Sequence, residues 1–237
     1  KTGMMQELLT QGIGHTEFKD SPVGRIPANW EVSCLDEVAT IQTGIAKNGK
    51  AKGNLVQVPY LRVANVQDGY LDLSEVKTIS IDESKLNRYL LQYGDVLVNE
   101  GGDFDKIGRG FVWKDELSFC VHQNHVFVVR ANKLRLIPEF FNYLSGSQWG
   151  KEYYLGCSKR TTNLASLNST QLKAFPVLLP TLEEQNKICE ILGAIDNKIH
   201  LSENKLDKSQ ESKKALMQDL LTGQVRVNID QKESEVA

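Results

Sequence analysis

The sequence predicts an α+β protein, in which a mixed or antiparallel β-rich domain is followed by a long helix that forms a coiled coil. Short segments rich in β-branched and aromatic residues, separated by glycine turns, fill the middle of the 237-residue chain. After residue 180 the pattern changes to apolar residues at alternating steps of four and three, which is typical of a coiled-coil helix. We therefore divide the chain into residues 1–18, 19–180, 181–223 and a tail, 224–237.

Residues 1–18 are predicted to be the tail of a helix, because residues 5–10 (MQELLT) recur as residues 217–222 (MQDLLT). A repeat distance above 200 residues is too long for a solenoid and indicates duplication of a whole domain. The chain would then hold one unit and the end of its predecessor; chance similarity of two leucine-rich helix ends is the alternative. Because the chain starts with Lys1 rather than Met, we expect a fragment of a longer protein.

Residues 19–180 are expected to form the β-rich domain. Its entry, residues 21–27, holds two prolines and a glycine and is predicted to be an extended linker. Strands are predicted at 58–66, 76–81, 95–99, 110–113, 119–129 and 175–179, with turns at 68–69, 93–95 and 101–102. One amphipathic helix is expected to begin at Pro138 and end near Gly156.

Residues 181–223 form the predicted helix, about 60 Å long at about 1.5 Å per residue. Thr181 is its expected N-cap with Glu184 as capping-box partner, and Gly223 is its expected C-cap. Such a helix needs a partner for its apolar stripe, and we expect a second copy of the chain to supply it. The stripe comprises Ile188, Leu192, Ile195, Ile199, Leu206, Leu216 and Leu220, and polar residues Ser202, Ser209 and Lys213 interrupt it.

Composition permits nucleic-acid binding without requiring it. The net charge is −2, yet residues 19–180 hold 19 Lys and Arg against 17 Asp and Glu, whereas the two flanks hold 9 against 13. The four cysteines are far apart and form no CxxC pair, so no metal site and no cofactor are expected. No apolar run reaches the roughly 20 residues of a membrane span, and no signal-peptide pattern begins the chain, so a cytoplasmic location is expected.

Four polar stretches carry side chains suited to DNA, because Arg, Lys, Asn and Gln pair with base edges and cations or hydroxyls contact phosphates. They are 43–54, 100–110, 121–125 and 158–163. The alternatives are, in that order, a plain surface loop, a hairpin with solvated charges, an internally satisfied network and a brace at the hinge. The candidate residues are Lys47, Asn48, Lys50, Lys52, Lys106, Arg109, Gln123, Asn124, Lys159, Arg160 and Thr161, with Arg62 and Asn65 added from a strand.

The chain resembles the specificity subunits of type I restriction-modification enzymes. The resemblance is most specific at the junction before the long helix, and more generic in the strands. The matching segments are 26–30 (IPANW), 59–66 (PYLRVANV), 93–97 (YGDVL), 123–125 (QNH), 159–168 (KRTTNLASLN), 175–177 (FPV) and 180–185 (PTLEEQ).

The resemblance implies a subunit that reads double-stranded DNA and is not itself catalytic. Methyltransferase subunits would dock on it, and through them a restriction and translocation subunit. Such subunits usually carry two recognition domains, each followed by a helix, and the two helices pair as a spacer. Only one such domain is present here, so the chain is either an excised half or a half-subunit that homodimerises.

Three rival classes follow from other patterns. A metal-dependent restriction endonuclease needs clustered carboxylates and a Glu-x-Lys triplet, which 75–77 and 83–85 offer with Asp68 or Asp72 nearby. A methyltransferase is disfavoured because the chain has no Asn-Pro-Pro-aromatic motif. A nucleotide-binding phosphate loop is disfavoured for the same kind of reason. The Gly-x-x-x-x-Gly-Lys run at 44–50 is followed by Ala51, where such a loop has Ser or Thr. A coiled-coil scaffold that never meets DNA is the third rival.

Overall fold

The computed structural model describes residues 1–46, 53–103, 107–157, 159–160 and 164–225, and the chain divides into two compact units, 1–192 and 193 onward. The α+β class is confirmed. In chain order the elements are α1 (Thr2–Gln11), β1 (Phe18–Ser21), β2 (Gly24–Pro27), β3 (Glu31–Cys34), α2 (Leu35–Val38), β4 (Ala39–Thr43), β5 (Leu55–Leu61), β6 (Lys77–Asp82), α3 (Glu83–Tyr89), β7 (Val96–Asn99), β8 (Gly101–Asp103), β9 (Gly110–Val112), β10 (Val121–His122), β11 (Val126–Ala131), α4 (Pro138–Gly146), α5 (Gln148–Cys157), β12 (Lys159–Arg160), β13 (Leu164–Ser166), α6 (Ser169–Lys173), β14 (Pro176–Leu179) and α7 (Leu182–Leu221).

The described strands form five small sheets. The largest has the order β4-β11-β7-β9 and is antiparallel throughout, and a second has the order β10-β5-β6. A third, β12-β13-β8, lies beside the candidate site, while β1-β2 and β14-β3 are two-stranded. Among these named strands only β10 and β5 pair in parallel. Most of the pairs join strands that are not consecutive in the chain, so the sheets depend on contacts that are distant in sequence.

In the first unit, helix α4 packs against β7 and β9 of the largest sheet. All four residues of β7 are buried, which fits a central strand covered on both faces. Phe175 is fully buried and packs edge-on against Phe141, Trp149 and Tyr153. This aromatic group fixes the helices against the segment that leads into β14.

Several predicted boundaries were wrong. The segment 21–27 is not an extended linker but the hairpin β1–β2, and 101–102 form part of β8 rather than a turn. The single helix expected from Pro138 to Gly156 is two, because the Ser147 hydroxyl donates to Leu144 O at 2.6 Å and accepts from Gly150 N at 3.2 Å. It thereby ends α4 and begins α5.

Two predicted strands also stop short. The strand expected at 58–66 ends at Leu61, because the next residues form a tight turn in which Asn65 N donates to Arg62 O at 2.8 Å. The strand expected at 119–129 is divided into β10 and β11 by a polar turn at 123–125. The remaining strands predicted in the first unit were found within one or two residues of their expected bounds.

The start of α7 confirms half of the expected capping box. Glu184 N donates to Thr181 Oγ1 at 3.3 Å, as an N-cap requires. The Glu184 carboxylate does not return to Thr181. It accepts instead from Ile13 N at 3.0 Å, His15 Nε2 at 2.7 Å and Trp30 Nε1 at 3.1 Å. This carboxylate therefore ties the segment after α1 to the first turn of α7.

In the second unit, α7 continues to Leu221 and the chain turns at Gly223, whose φ of 73° explains why glycine stands there. The two copies of the repeated hexapeptide end alike, since Thr10 Oγ1 donates to Gln6 O and Thr222 Oγ1 to Gln218 O. Their environments differ, because Leu9 is fully buried and Leu221 is exposed. Within the described part of the chain, no helix is apolar and long enough for a bilayer span.

Candidate nucleic-acid interface

Part of the predicted interface lies outside the described residues: Lys47, Asn48, Lys50, Lys52, Lys106 and Thr161. Lys159 and Arg160 are described only as backbone, in β12. Arg62, Asn65, Arg109, Gln123 and Asn124 are described with their side chains. The geometry of the site is therefore built from these five residues and from the ends of the segments that carry the others.

The polar turn at 123–125 is the centre of this geometry. Gln123 N donates to Leu61 O at 2.8 Å, and Val126 N donates to Gln123 O at 2.9 Å, so the backbone of the turn is fixed on both sides. His122, which precedes it, is buried and its Nδ1 lies 2.7 Å from Val126 O. Burial lowers the pKa of His122 to about 4, so this ring is neutral and internally satisfied. Gln123 and Asn124 are half-buried and reach the surface.

The segment that leads into 47–52 is attached to this turn. Ile45 N donates to His122 O at 2.8 Å, Asn124 N donates to Ile45 O at 3.1 Å, and Tyr60 Oη donates to the same carbonyl at 3.0 Å. Gly44 is required by the close approach, because a Cβ there would lie 2.2 Å from His122 O. The lysine-rich stretch therefore begins beside Gln123 and Asn124.

Two more predicted stretches meet on the other side of the turn. Glu100 N donates to His125 O at 2.9 Å, and Leu167 N donates to Glu100 O at 2.7 Å. The His125 ring and the Glu100 carboxylate also contact each other. Asp103 pairs with Leu164 across β8 and β13, so these two described residues, the last of β8 and the first of β13, lie side by side.

Arg109, in the second predicted stretch (100–110), lies directly before β9. Its carbonyl accepts from Asn99 N at 2.9 Å, and its Nη1 donates to Gln67 Oε1 at 3.0 Å. The side chain is half-buried and engaged with its neighbours. In this structure Arg109 therefore holds Gln67 in the loop 62–72. It also belongs to a stretch that is predicted to contact DNA.

Arg62 and Asn65 were both expected to contact DNA, but their side chains have different environments in the structure. Asn65 is only 2% exposed, and its amide is fully used: Oδ1 accepts from Arg62 N, and Nδ2 donates to Asp72 O and Glu75 O, each at 2.9 Å. Asn65 is therefore held inside the turn, and its contact with DNA stays a prediction. Arg62, whose side chain is 24% exposed, remains at the surface.

The apolar stripe of α7 is divided between the two units. Ile188 and Leu192 are fully buried within the first unit, so they are not available to a partner helix. Ile195 is half-buried, and Ile199, Leu206, Leu216 and Leu220 are exposed. A helix partner would therefore meet the predicted series from Ile195 onward.

The carboxylates proposed for a nuclease do not assemble. Asp72 Oδ1 accepts from the backbone and hydroxyl of Ser74, and Asp68 lies 3.4 Å from Lys151 Nζ. Of the two glutamates in the Glu-x-Lys triplets, Glu75 accepts from Arg62 Nη2 at 3.4 Å and Glu83 accepts from Asn54 Nδ2 at 2.6 Å. The described residues contain no group of three or more His, Cys, Asp and Glu side chains that could hold a metal ion.

Sequence reasoning missed two features of the site. One is a pocket of about 190 Å³ at the end of β5, lined by Tyr60, Arg62, Lys77, Thr78, Ile79 and Gln123. The register of Tyr60 with Lys77 and of Val121 with Tyr60 brings these residues together, and no local pattern marks it. The other is Gln185, fully buried, whose amide binds Ile137 N, Arg135 O and Pro180 O and anchors the start of α7.

Comparison with known proteins identifies sequence relatives of this chain. The putative specificity subunit of type I restriction enzyme MjaX from Methanocaldococcus jannaschii is 29% identical over 232 residues, which are 97% of this chain and 54% of that protein. The MjaVIII specificity subunit from the same organism is 31% identical over 241 residues, covering 96% of this chain and 54% of its own. The chain thus spans about half the length of the curated relatives it matches.

Solved structures show the same fold. A chain from a study of complex assembly and conformational transition of the type I R-M system superimposes with a TM-score of 0.62 at 19% identity, over 90% of this chain and 49% of that one. The HsdS subunit from Thermoanaerobacter tengcongensis gives 0.59 at 18% identity, over 87% and 52%. The sequence profile of the type I restriction modification DNA specificity domain matches residues 27–209. Because that match covers well over half of the chain, the protein belongs to the type I restriction-modification DNA specificity family.

Proposed function

We propose that this chain reads one half of a bipartite DNA site as the recognition component of a type I restriction-modification system. The observation that carries the proposal is the convergence of separate stretches at the turn 123–125. Ile45, Leu61 and Glu100 all hydrogen-bond to its backbone, and each leads into or out of a stretch rich in Lys, Arg or Asn. Presenting several donor-rich loops on one rigid scaffold is how proteins read base edges and hold phosphates.

Methylation and cleavage would be performed by partner polypeptides. Methyltransferase subunits would dock on the assembly, and a restriction and translocation subunit would join through them. A nuclease centre in this chain is disfavoured, because Asp68, Asp72 and the two Glu-x-Lys glutamates each contact other side chains and form no common cluster among the described residues.

The long helix α7 would act as the spacer, and a second copy of the chain would supply the other recognition domain. The support is the row of exposed apolar residues from Ile199 to Leu220 in the second unit, which a partner helix would cover. Because the chain matches about half of its relatives, two copies would restore their length. Sedimentation equilibrium tests this part: a mass of two chains is expected, and a monomer at micromolar concentration would contradict it.

The recognition proposal is tested by gel-shift selection from a pool of random duplexes, with and without the methyltransferase subunits. We expect enrichment of one sequence, whose binding weakens steeply with salt because phosphates are neutralised. A parallel incubation with Mg²⁺ and no partner should leave the DNA intact. Failure to enrich any sequence even with the methyltransferase present would contradict the proposal, and Mg²⁺-dependent cleavage by the purified chain would favour the nuclease.

A further inference from the structure

The pocket at the end of β5 contains a buried donor whose partner is not found among the described residues. Arg62 Nε is buried and makes no hydrogen bond. The contacts that Arg62 does make, with Glu75 O at 3.5 Å and Glu75 Oε2 at 3.4 Å, both use Nη2 and are long. A buried N–H without an acceptor is costly, so such a group in a native structure calls for an explanation. An acceptor brought by a ligand is the simplest one.

Glu75 holds Arg62 only loosely. Its side chain is 72% exposed and it also pairs with Lys77 Nζ at 3.7 Å. Solvent screens such a pair, and it contributes little to stability. A stronger acceptor arriving in the pocket can therefore displace the Glu75 carboxylate from the Arg62 guanidinium.

The backbone that carries Arg62, in contrast, is firmly held. Arg62 N donates to Asn65 Oδ1 at 2.9 Å, and the Asn65 amide also binds the carbonyl of Glu75. Across the pocket, the backbone of Gln123 is fixed by Leu61 O and Val126 N. The fixed backbone on both sides of the pocket limits where the Arg62 guanidinium and the Gln123 amide can lie, and a binding site requires such positioning.

The chemistry and size of the pocket favour a base edge. Arginine pairs in two-point fashion with O6 and N7 of guanine, and glutamine with adenine. In the described part of the chain the Gln123 side chain makes no hydrogen bond, so its amide is available beside Arg62. A volume of about 190 Å³ is below the roughly 300–1,000 Å³ of sites that enclose small-molecule ligands. A pocket of this size suits a single group that protrudes into it, such as the edge of one base, rather than a whole small molecule.

We infer, on the basis of the proposed function, that Arg62 is a specificity-determining residue that reads a guanine of the DNA site. Gln123 would contact the neighbouring base. Asn65 is the positioning residue that aims Arg62. The competing possibility is that Arg62 holds a backbone phosphate. The two differ in what they predict, because a base contact matters only for sequences that carry the guanine, and a phosphate contact matters for all sequences alike.

The test compares Arg62→Lys and Arg62→Ala with the unchanged chain, by fluorescence anisotropy on the selected duplex and on duplexes altered one base pair at a time. Lysine keeps the charge but lacks the planar fork. We expect both variants to bind the selected duplex on the order of 10-fold or more weakly. Both should lose discrimination at one G·C pair and keep it elsewhere. Arg135→Ala, at a side chain that pairs with Glu31 on the surface, is the matched arginine control and should bind like the unchanged chain.

Three results separate the hypotheses. Uniform weakening on every duplex, with the slope of log affinity against log salt reduced by about one, would assign Arg62 to phosphate and overturn the inference. Unchanged discrimination by Arg62→Lys, in a protein whose thermal melting matches that of the unchanged chain, would also overturn it. If the unchanged chain prefers no duplex even with the methyltransferase subunits present, the proposed function fails and the inference falls with it, which the first arm of the experiment already reveals.

Discussion

At the scale of single residues, Asn65 carries more of the local structure than its neighbours. It is buried, and its side chain joins Arg62, Asp72 and Glu75 through three hydrogen bonds of 2.9 Å. A buried amide whose polar atoms are all paired specifies one conformation of the turn. Among the residues that line the pocket at the end of β5, Arg62 therefore depends on Asn65 for the placement of its backbone.

Asn65→Ala should lower the free energy of unfolding by about 2–3 kcal/mol, because it leaves an amide and two carbonyls without partners. Urea denaturation followed by tryptophan fluorescence reports this, since Trp30, Trp113 and Trp149 all lie in the first unit. Asn186→Ala, at an exposed position of α7 in the same unit, is the matched control and should change the value by less than about 0.5 kcal/mol. Equal effects of the two substitutions would contradict this account of the turn.

His122 should make stability depend on pH. Burial lowers its pKa to about 4, against about 6.5 in an unfolded chain. Between those values the unfolded state binds a proton that the folded state does not. The free energy of unfolding therefore falls as pH decreases from about 6.5 to 4, by at most about 1.4 kcal/mol per pH unit from this residue.

His122→Asn tests this, because the asparagine amide can donate to Val126 O but does not titrate. The free energy of unfolding, measured in urea from pH 4 to 7, should depend less steeply on pH in the variant than in the unchanged protein. A difference between the two proteins that stays constant over this range would show that His122 does not titrate as its burial requires.

At the scale of elements, the first turn of α7 is held by a pair of side chains that point to different parts of the domain. Glu184 accepts from Ile13 N, His15 and Trp30, and Gln185 binds Ile137, Arg135 and Pro180. The start of the helix is therefore fixed in the first unit both to the segment after α1 and to the segment before α4.

Glu184→Ala should lower the stability of the first unit by about 1–3 kcal/mol, since it leaves three donors unpaired. It should also raise the hydrogen-exchange rate of the Ile13 amide, which donates to this carboxylate. Glu183→Ala is the matched control, because Glu183 is exposed and, among the described residues, pairs only with Lys187 one helical turn away. Little change is expected there. Unaltered exchange at Ile13 in Glu184→Ala would contradict the assigned contact.

Sequence patterns predicted the helices and strands better than they predicted where those elements end and which residues connect them. The run 121–129 showed polar residues inside an apolar strand, and the structure resolves the conflict by dividing it into β10 and β11 around the turn. The capping-box pattern at Thr181 and Glu184 predicted a local bond, but Trp30 and His15, distant in sequence, bind the carboxylate instead. Local spacing carries no information on such partners.

The candidate site shows the same limit. Arg62 and Asn65 have equally suitable chemistry for base edges, and the burial of Asn65 in the folded turn is what distinguishes the proposed reader from the residue proposed to position it. The proximity of Gln123 to Arg62 follows from parallel pairing of β10 with β5, which is a long-range contact. The sequence could therefore nominate the residue types but not assign their roles.

At the scale of the whole molecule, we propose that residues 19–180 choose the DNA sequence and that other polypeptides make and break the covalent bonds. The convergence of donor-rich stretches on one turn supports the first part, and the membership of the family supports the assembly in which the second part would operate. Both parts concern what this chain contributes to a larger complex, so the decisive measurement has to be made on the assembled enzyme.

That measurement is an exchange of residues 19–180 for the corresponding segment of a related specificity subunit, followed by mapping of methylated DNA in the reconstituted methyltransferase complex. The account predicts that the methylated half-site changes to that of the donor subunit, while the spacing between half-sites stays with the retained helix. A methylated sequence identical before and after the exchange would contradict it, because recognition would then reside elsewhere in the complex.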